Sequence, residues 1–137
     1  MTNHKERRYF LYARKSSESE DRQVNSIDDQ IKEVQKIVER LDLNVVEIFR
    51  ESKSAKAPGR KIFNEMLGRI EKGEADAILC WKLNRLARNP VDGGKISWML
   101  QSNIIKHIQC YDRDYKPTDN VLTMQVDLGI GNQFIID

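Results

Sequence analysis

Short apolar runs alternate along the chain with longer stretches in which apolar residues recur every three or four positions. The runs are rich in β-branched and aromatic residues, as in Val45-Val46-Glu47-Ile48-Phe49, and such runs are typical of buried strands. Four strands are predicted, at residues 9–13, 45–49, 77–81 and 104–105 with 108–111.

The stretches between the runs have helical periodicity. Ser26 comes just before the first of them and Asp29 three residues later, which is the pattern of a helix N-terminal capping box. The basic segment 82–89 is predicted to be a loop, with Pro90 in the first turn of the helix that follows it. Helices are predicted from residue 27 to 41, from 62 to 70 with a stop near Gly73, from 90 to about 100, and in the tail from Asp119.

Because strands and helices alternate, the predicted fold class is α/β. We expect a three-layer α/β/α arrangement, with helices on both faces of a mainly parallel (mixed) sheet of four to five strands. In such sheets, functional residues collect in the loops at the carboxyl ends of the strands.

Length and composition fit one globular domain. The chain has 137 residues, of which 39% are hydrophobic and 32% charged. Apolar runs are too short for a membrane span, and the first ten residues lack the apolar stretch of a signal peptide. Cys80 and Cys110 lie within apolar runs, which predicts buried, reduced thiols and a cytoplasmic protein. Without a membrane span, no membrane partner is expected. With two distant histidines, the two cysteines form no zinc pattern.

The formal net charge of +2 conceals an uneven distribution. Residues 1–15, 50–62 and 82–95 carry +4, +4 and +3, so the rest of the chain carries −9. Each basic segment includes residues just after a predicted strand. We therefore expect a concentrated positive site that suits a phosphate-bearing partner. The alternative from charge alone is a set of scattered, solvated cations.

Two loops hold candidate chemistry. Ser16 follows Arg14 by two residues at a strand end, as a nucleophile beside a phosphate-binding arginine would, although serines in loops more often serve turns. Arg85 and Arg88 are three residues apart, so on a helical turn they would share one face, as expected where an anion binds. The alternative for this pair is a solvated basic turn.

Taken in order, the loop motifs resemble the catalytic domain of the serine site-specific recombinases, the resolvase/invertase family. The resemblance extends from Tyr12 to the last helix. Its motifs are a strand ending Tyr-x-Arg-x-Ser (Tyr12, Arg14, Ser16), a helix start with Ser26, Asp28 and Gln30, an acidic-x-x-Ser segment with a later arginine (Glu51, Ser54, Ala55, Arg60), and the signature Leu83-Asn84-Arg85-Leu86-x-Arg88.

The resemblance implies a phosphoryl-transfer enzyme that cleaves double-stranded DNA at a specific site, forms a 5′-phosphoseryl intermediate, and then rejoins exchanged strands. It implies Ser16 as nucleophile and no metal or cofactor. It also implies homodimers and tetramers in the full-length protein. The phosphate-binding residues would be Arg14, Arg60, Arg85 and Arg88, with Tyr12, Gln30, Ser54 and Asn84 in support.

Two departures from the family pattern leave questions open. Asn84 stands where the family has aspartate, and an amide can orient a neighbour but cannot take a proton at neutral pH. Ser17 beside Ser16 is an alternative nucleophile.

The competing functions are a metal-dependent nuclease, which would need acidic residues that these loops lack, and a non-catalytic α/β module of the same fold.

The resemblance also divides the chain. Residues 1–118 would form the catalytic domain, and residues 119–137 the start of a long oligomerisation helix, in a fragment lacking a DNA-binding region. The segment 16–26 is longer than its counterpart in the small serine recombinases. Its length and the sequence Ser26-Ile27-Asp28-Asp29-Gln30 indicate the large serine recombinases.

Overall fold

Five strands form one mixed sheet in the order β2-β1-β3-β4-β5. The computed structural model describes residues 7–15, 26–52 and 58–118. The first four strands are parallel, and the last runs antiparallel to its neighbour. Their bounds are Tyr9–Arg14 (β1), Val45–Glu51 (β2), Ala77–Leu79 (β3), His107–Gln109 (β4) and Asp114–Tyr115 (β5).

Within the described residues, four helices lie between the strands, and local sequence signals mark several of their ends. They are Ile27–Leu41 (α1), Lys61–Glu71 (α2), Leu83–Leu86 (α3) and Pro90–Gln101 (α4). The Ser26 hydroxyl accepts a hydrogen bond from the Asp29 amide at 3.1 Å, as the capping pattern predicted. Just beyond α2, Gly73 has a φ of 87°, a conformation that glycine adopts without steric cost.

Side chains of β1 alternate between two cores, one on each face of the sheet. Tyr9 and Leu11 pack with the apolar side of α1, whereas Phe10 and Tyr12 pack with α2 and α4. Every residue of β1 is buried, as expected of a central strand covered on both faces. The predicted three-layer α/β/α architecture is therefore confirmed.

The sheet order also fixes where a site can form. From β1 the chain crosses by α1 to β2 on one side, and from β3 it crosses by α4 to β4 on the other. The strand order thus changes direction between β1 and β3. In open α/β sheets, the crevice outside the carboxyl ends of the strands at such a point is the usual binding site.

Several local predictions were wrong. The basic segment 82–89 is not a plain loop, because it contains α3. The strand predicted at 104–105 with 108–111 is reduced to β4, with Ile104 and Ile105 in a bend before it. The sequence analysis did not identify β5, which has two residues and depends on its pairing with β4. The predicted strand 77–81 ends at Leu79.

Two other predictions concern the cysteines and the helix at the end of the chain. Cys80 and Cys110 are both buried and free, as predicted, with their sulfur atoms 3.6 Å apart. The helix predicted from Asp119 lies outside the described residues. No helix within the described ranges is long and apolar enough to cross a membrane.

Candidate active site at the carboxyl edge of the sheet

Three buried arginines meet beside the crevice between β1 and β3. Arg14 and Arg85 are 0% exposed and Arg60 is 2% exposed. Full burial of arginine is rare unless the guanidinium has partners, because taking a charge out of water is costly. The partners of these side chains therefore define the site.

Arg14, the last residue of β1, holds the turn that follows β3. Its Nε donates to the Arg85 carbonyl oxygen at 3.0 Å, and its Nη2 donates to the Asn84 carbonyl oxygen at 3.2 Å. Its Nη1 donates to the carbonyl oxygen of Lys15 at 3.2 Å. The ends of the two central strands are thereby tied together through one planar side chain.

Gln30, on the second turn of α1, fixes the backbone of Arg14. Its Nε2 donates to the Arg14 carbonyl oxygen at 2.7 Å, and its Oε1 accepts from the Arg14 amide at 3.3 Å. Gln30 is 1% exposed. This buried pair of hydrogen bonds anchors α1 at the edge where the chain continues into the predicted nucleophile.

Arg60, the residue before α2, contacts three other parts of the chain. Its Nη1 donates to the Tyr12 hydroxyl at 2.9 Å, and its Nη2 donates to the Leu86 carbonyl oxygen at 2.7 Å. The same Nη2 forms an ion pair with Asp92 at 3.2 Å. The guanidinium also lies over the Phe63 ring, 3.9 Å from its centroid.

The Tyr12 hydroxyl connects Arg60 to Glu51. It donates to Glu51 Oε1 at 2.5 Å, while the amides of Ile62 and Phe63 donate to the same carboxylate at 3.0 Å each. Glu51 therefore caps the start of α2. Burial raises the pKa of Tyr12, and Glu51 adds to that rise despite the opposing charge of Arg60, so the phenol remains a neutral donor.

Asp92 joins this network from the first turn of α4. Its Oδ2 accepts from Asn89 Nδ2 at 2.8 Å as well as from Arg60, and its amide donates to Asn89 Oδ1 at 2.9 Å. The sequence alone predicted no role for Asp92 or for the carboxylate of Glu51. An asparagine three residues before an acid at a helix start was the available signal for Asp92.

The signature residues are divided between two conformations. Arg85 lies in α3, which ends at Leu86, and Ala87 is extended with φ −157° and ψ 147°. Arg85 and Arg88 therefore do not share the face of one helical turn, contrary to the prediction. Arg88 is half-buried, and the Asn84 backbone accepts from Arg14.

The remaining predicted residues, Ser16 and Ser54, lie outside the described residues. Lys15, immediately before Ser16, is exposed, and its amide donates to the Glu51 carbonyl oxygen at 2.8 Å. No group of three or more His, Cys, Asp or Glu side chains suited to a metal ion occurs in the described ranges. The buried charges of the three arginines, Glu51 and Asp92 leave one positive charge in excess.

The sequence profile of the family described as "Resolvase, N terminal domain" matches residues 9–128. The chain belongs to the resolvase family. It is a resolvase catalytic domain of the serine recombinases, as the order of its motifs predicted. Members of the family act on DNA and assemble into oligomers.

Several solved structures have a similar fold. The N-terminal catalytic domain of TP901-1 integrase matches with a TM-score of 0.66 and 20% identity, over 94% of this chain and 96% of the other. A resolvase family site-specific recombinase from Streptococcus pneumoniae matches with a TM-score of 0.64 and 22% identity, over 94% and 88%. The C-terminal catalytic domain of ISC1926 TnpA, an IS607-like serine recombinase, matches with a TM-score of 0.61 and 21% identity, over 88% and 77%. No curated protein sequence matches the chain significantly.

Proposed function

We propose that this resolvase domain cleaves and rejoins double-stranded DNA at a specific site with Ser16 as nucleophile. The observation that carries the proposal is the position of Arg14. It ends a central strand two residues before Ser16, and its side chain binds the backbone of the signature turn. Arg14 thus connects the strand end that precedes Ser16 in the chain to the turn that contains Arg85.

The arginines divide the work of neutralising the phosphate. In this arrangement Arg14 and Arg60 give donors to carbonyl oxygens and side chains of the protein, so their charges act through the low-dielectric interior. Arg88 is half-buried and more exposed than the other three arginines, so we assign it the direct contact with a phosphate oxygen. Arg85 is buried within α3. Such fixed cations stabilise the charge that develops on the equatorial oxygens during transfer.

The chemistry conserves the phosphodiester bond. The Ser16 oxygen forms a bond to phosphorus while the bond from phosphorus to the 3′-oxygen breaks, and the serine proton leaves as the 3′-oxygen gains one. In rejoining, a 3′-hydroxyl of the exchanged strand attacks the phosphoserine and releases Ser16. Asn84 fits an orienting role, since a carboxamide has no ionised form at neutral pH and cannot serve as a general acid or base.

The finer assembly belongs to the same proposal. Residues 1–118 act as the catalytic unit and residues 119–137 begin the oligomerisation helix. Homodimers bring two sites to one DNA duplex, and tetramers join two duplexes for exchange. The cytoplasm of a bacterium, or of the host of a phage or mobile element, is the proposed location.

The test is capture of a covalent protein–DNA adduct by the whole protein on DNA that carries its recombination site. Ser16→Ala should abolish the adduct without changing the circular dichroism spectrum, and Ser17→Ala should retain it. Arg85→Lys should impair it severely, because lysine keeps the charge but loses the planar set of donors. An adduct that persists in Ser16→Ala and disappears in Ser17→Ala would reassign the nucleophile.

A further inference from the structure

A groove opens beside the signature turn, between the segments that follow β3 and β4. Lys82, Leu83 and Asn84 line one side, and Asp112, Arg113 and Tyr115 line the other. Its volume is about 160 Å³, which exceeds the space of a single water molecule several times. We call it the β3–β4 groove.

Two stacked aromatic residues, Trp81 and Tyr111, directly precede the lining residues Lys82 and Asp112 in the chain. The rings of Trp81 and Tyr111 are 4.1 Å apart between centroids and 16° from parallel. The Tyr111 amide donates to the Trp81 carbonyl oxygen at 3.0 Å, so the backbone fixes the stack. Tyr111 is 42% exposed, so part of its ring is accessible to solvent.

Cations accompany the aromatic rings. The Lys82 ammonium lies 5.6 Å from the centroid of the Tyr111 ring. Arg113 is exposed at the tip of the β4–β5 hairpin, where its carbonyl oxygen accepts from the Cys110 amide at 2.9 Å. Lys82 and Arg113 outweigh the single carboxylate of Asp112, so the groove carries a net positive charge.

The groove continues the active-site edge. Lys82 directly precedes α3, the helix that contains Arg85, and Asn84 lines the groove while its backbone receives the hydrogen bond from Arg14. A DNA strand whose scissile phosphate lies at the arginines must pass close to this edge. Exposed aromatic rings next to cations are a common surface for the sugar–phosphate backbone.

We propose that the β3–β4 groove is a second DNA contact, which holds a phosphate flanking the cleaved one. Lys82 and Arg113 bind its oxygens, and the adjacent deoxyribose packs against the exposed part of the Tyr111 ring. This inference rests on the proposed function, because it requires DNA at the active-site edge. It assigns binding residues outside the family motifs, and it predicts a loss of affinity rather than of chemistry.

The salt dependence of DNA binding tests this contact. With the whole protein and a short fluorescent duplex lacking a recombination site, anisotropy is measured between about 50 and 200 mM salt. The double variant Lys82→Gln/Arg113→Gln should reduce the slope of log K against log salt by about 1, because each neutralised phosphate contributes about 0.9. Tyr111→Ala should weaken binding by about two- to twelvefold, with the slope unchanged, since an aromatic contact is worth roughly 0.5–1.5 kcal/mol and about 1.36 kcal/mol corresponds to a tenfold change.

The matched control removes the same charge elsewhere. Lys36 and Arg40 are exposed in the second half of α1, which runs away from the active-site edge, so Lys36→Gln/Arg40→Gln should leave the slope unchanged. Equal slope changes in both double variants would overturn the proposal, because bulk charge would then explain them. An unchanged slope in Lys82→Gln/Arg113→Gln would also overturn it, and a simultaneous loss of self-association would mark the groove as a contact between copies of the chain.

The same variants separate this inference from the proposed function. If the groove does not contact DNA, the Ser16 adduct still forms and the Lys82→Gln/Arg113→Gln variant keeps the unaltered slope. Failure of the proposed function removes the adduct from the unaltered protein, while the slope change in the Lys82/Arg113 variant persists.

Discussion

The buried ion pair between Arg60 and Asp92 predicts strong energetic coupling between α2 and α4. The two side chains are 1% and 6% exposed, and their charged atoms lie 3.2 Å apart. Removing one partner leaves the other charge buried, which typically costs about 3–5 kcal/mol. We propose a cycle of Arg60→Met, Asp92→Leu and the double variant, which removes both charges.

The structure favours the lower end of that range. After Asp92→Leu, Arg60 still donates to Leu86 and Tyr12 and still lies over Phe63. We therefore expect a loss of about 3 kcal/mol for each single variant, from a total stability of about 5–15 kcal/mol. Independent effects would add to about 6 kcal/mol, whereas a coupling of about 2–3 kcal/mol would limit the double variant to about 3–4 kcal/mol.

Urea unfolding followed by tryptophan fluorescence and circular dichroism measures these free energies, and constant m values verify that the transition remains two-state. The control cycle uses the surface pair of Arg69 and Glu47, which are 2.7 Å apart but 28% and 42% exposed. Its coupling should be much smaller, because solvent screens exposed pairs. Additive losses at Arg60 and Asp92 would refute the reasoning, since they would show that neither charge depends on the other.

Two further predictions concern Tyr12, in the same network, and Asp114, in the edge strand β5. Tyr12→Phe should cost about 1–3 kcal/mol in urea unfolding, because the hydroxyl bridges Arg60 and Glu51 in a buried place; Tyr111→Phe, at an exposed ring, is the control, and equal losses would contradict the bridging role. For Asp114, partial burial would raise the pKa, but the hydrogen bond and charge of His107 lower it overall. The advantage of the unaltered protein over Asp114→Asn should therefore be present above the unfolded pKa of the carboxyl group and be lost as pH falls through the lower pKa of the folded protein. An advantage that does not change as pH falls would exclude the carboxylate as its source.

Much of the fold could be predicted because its longer elements have strong periodicity. The apolar spacing of α1 and its Ser26 cap were visible in the sequence, and the structure has both. By contrast, α3 has four residues and β5 has two. Elements this short have no measurable period, and they form because tertiary contacts hold them, such as the Arg14 hydrogen bonds at α3.

The candidate site was predicted in its residue types and order but not in its connections. A sequence shows that Arg60 is basic, and the expectation for an arginine is exposure. Whether it is buried depends on carboxylates that come from distant segments, here Asp92 in α4 and Glu51 through Tyr12. No local pattern joins residues that lie about 30 positions apart, so Asp92 was overlooked.

Burial of the arginines has a consequence for how the site can work. A guanidinium in solvent changes rotamer freely, whereas Arg14 donates to three carbonyl oxygens and cannot move without releasing the signature turn. Gln30 fixes its backbone in the same way. The cost of fixing these side chains is met during folding, so it is not met again when DNA binds.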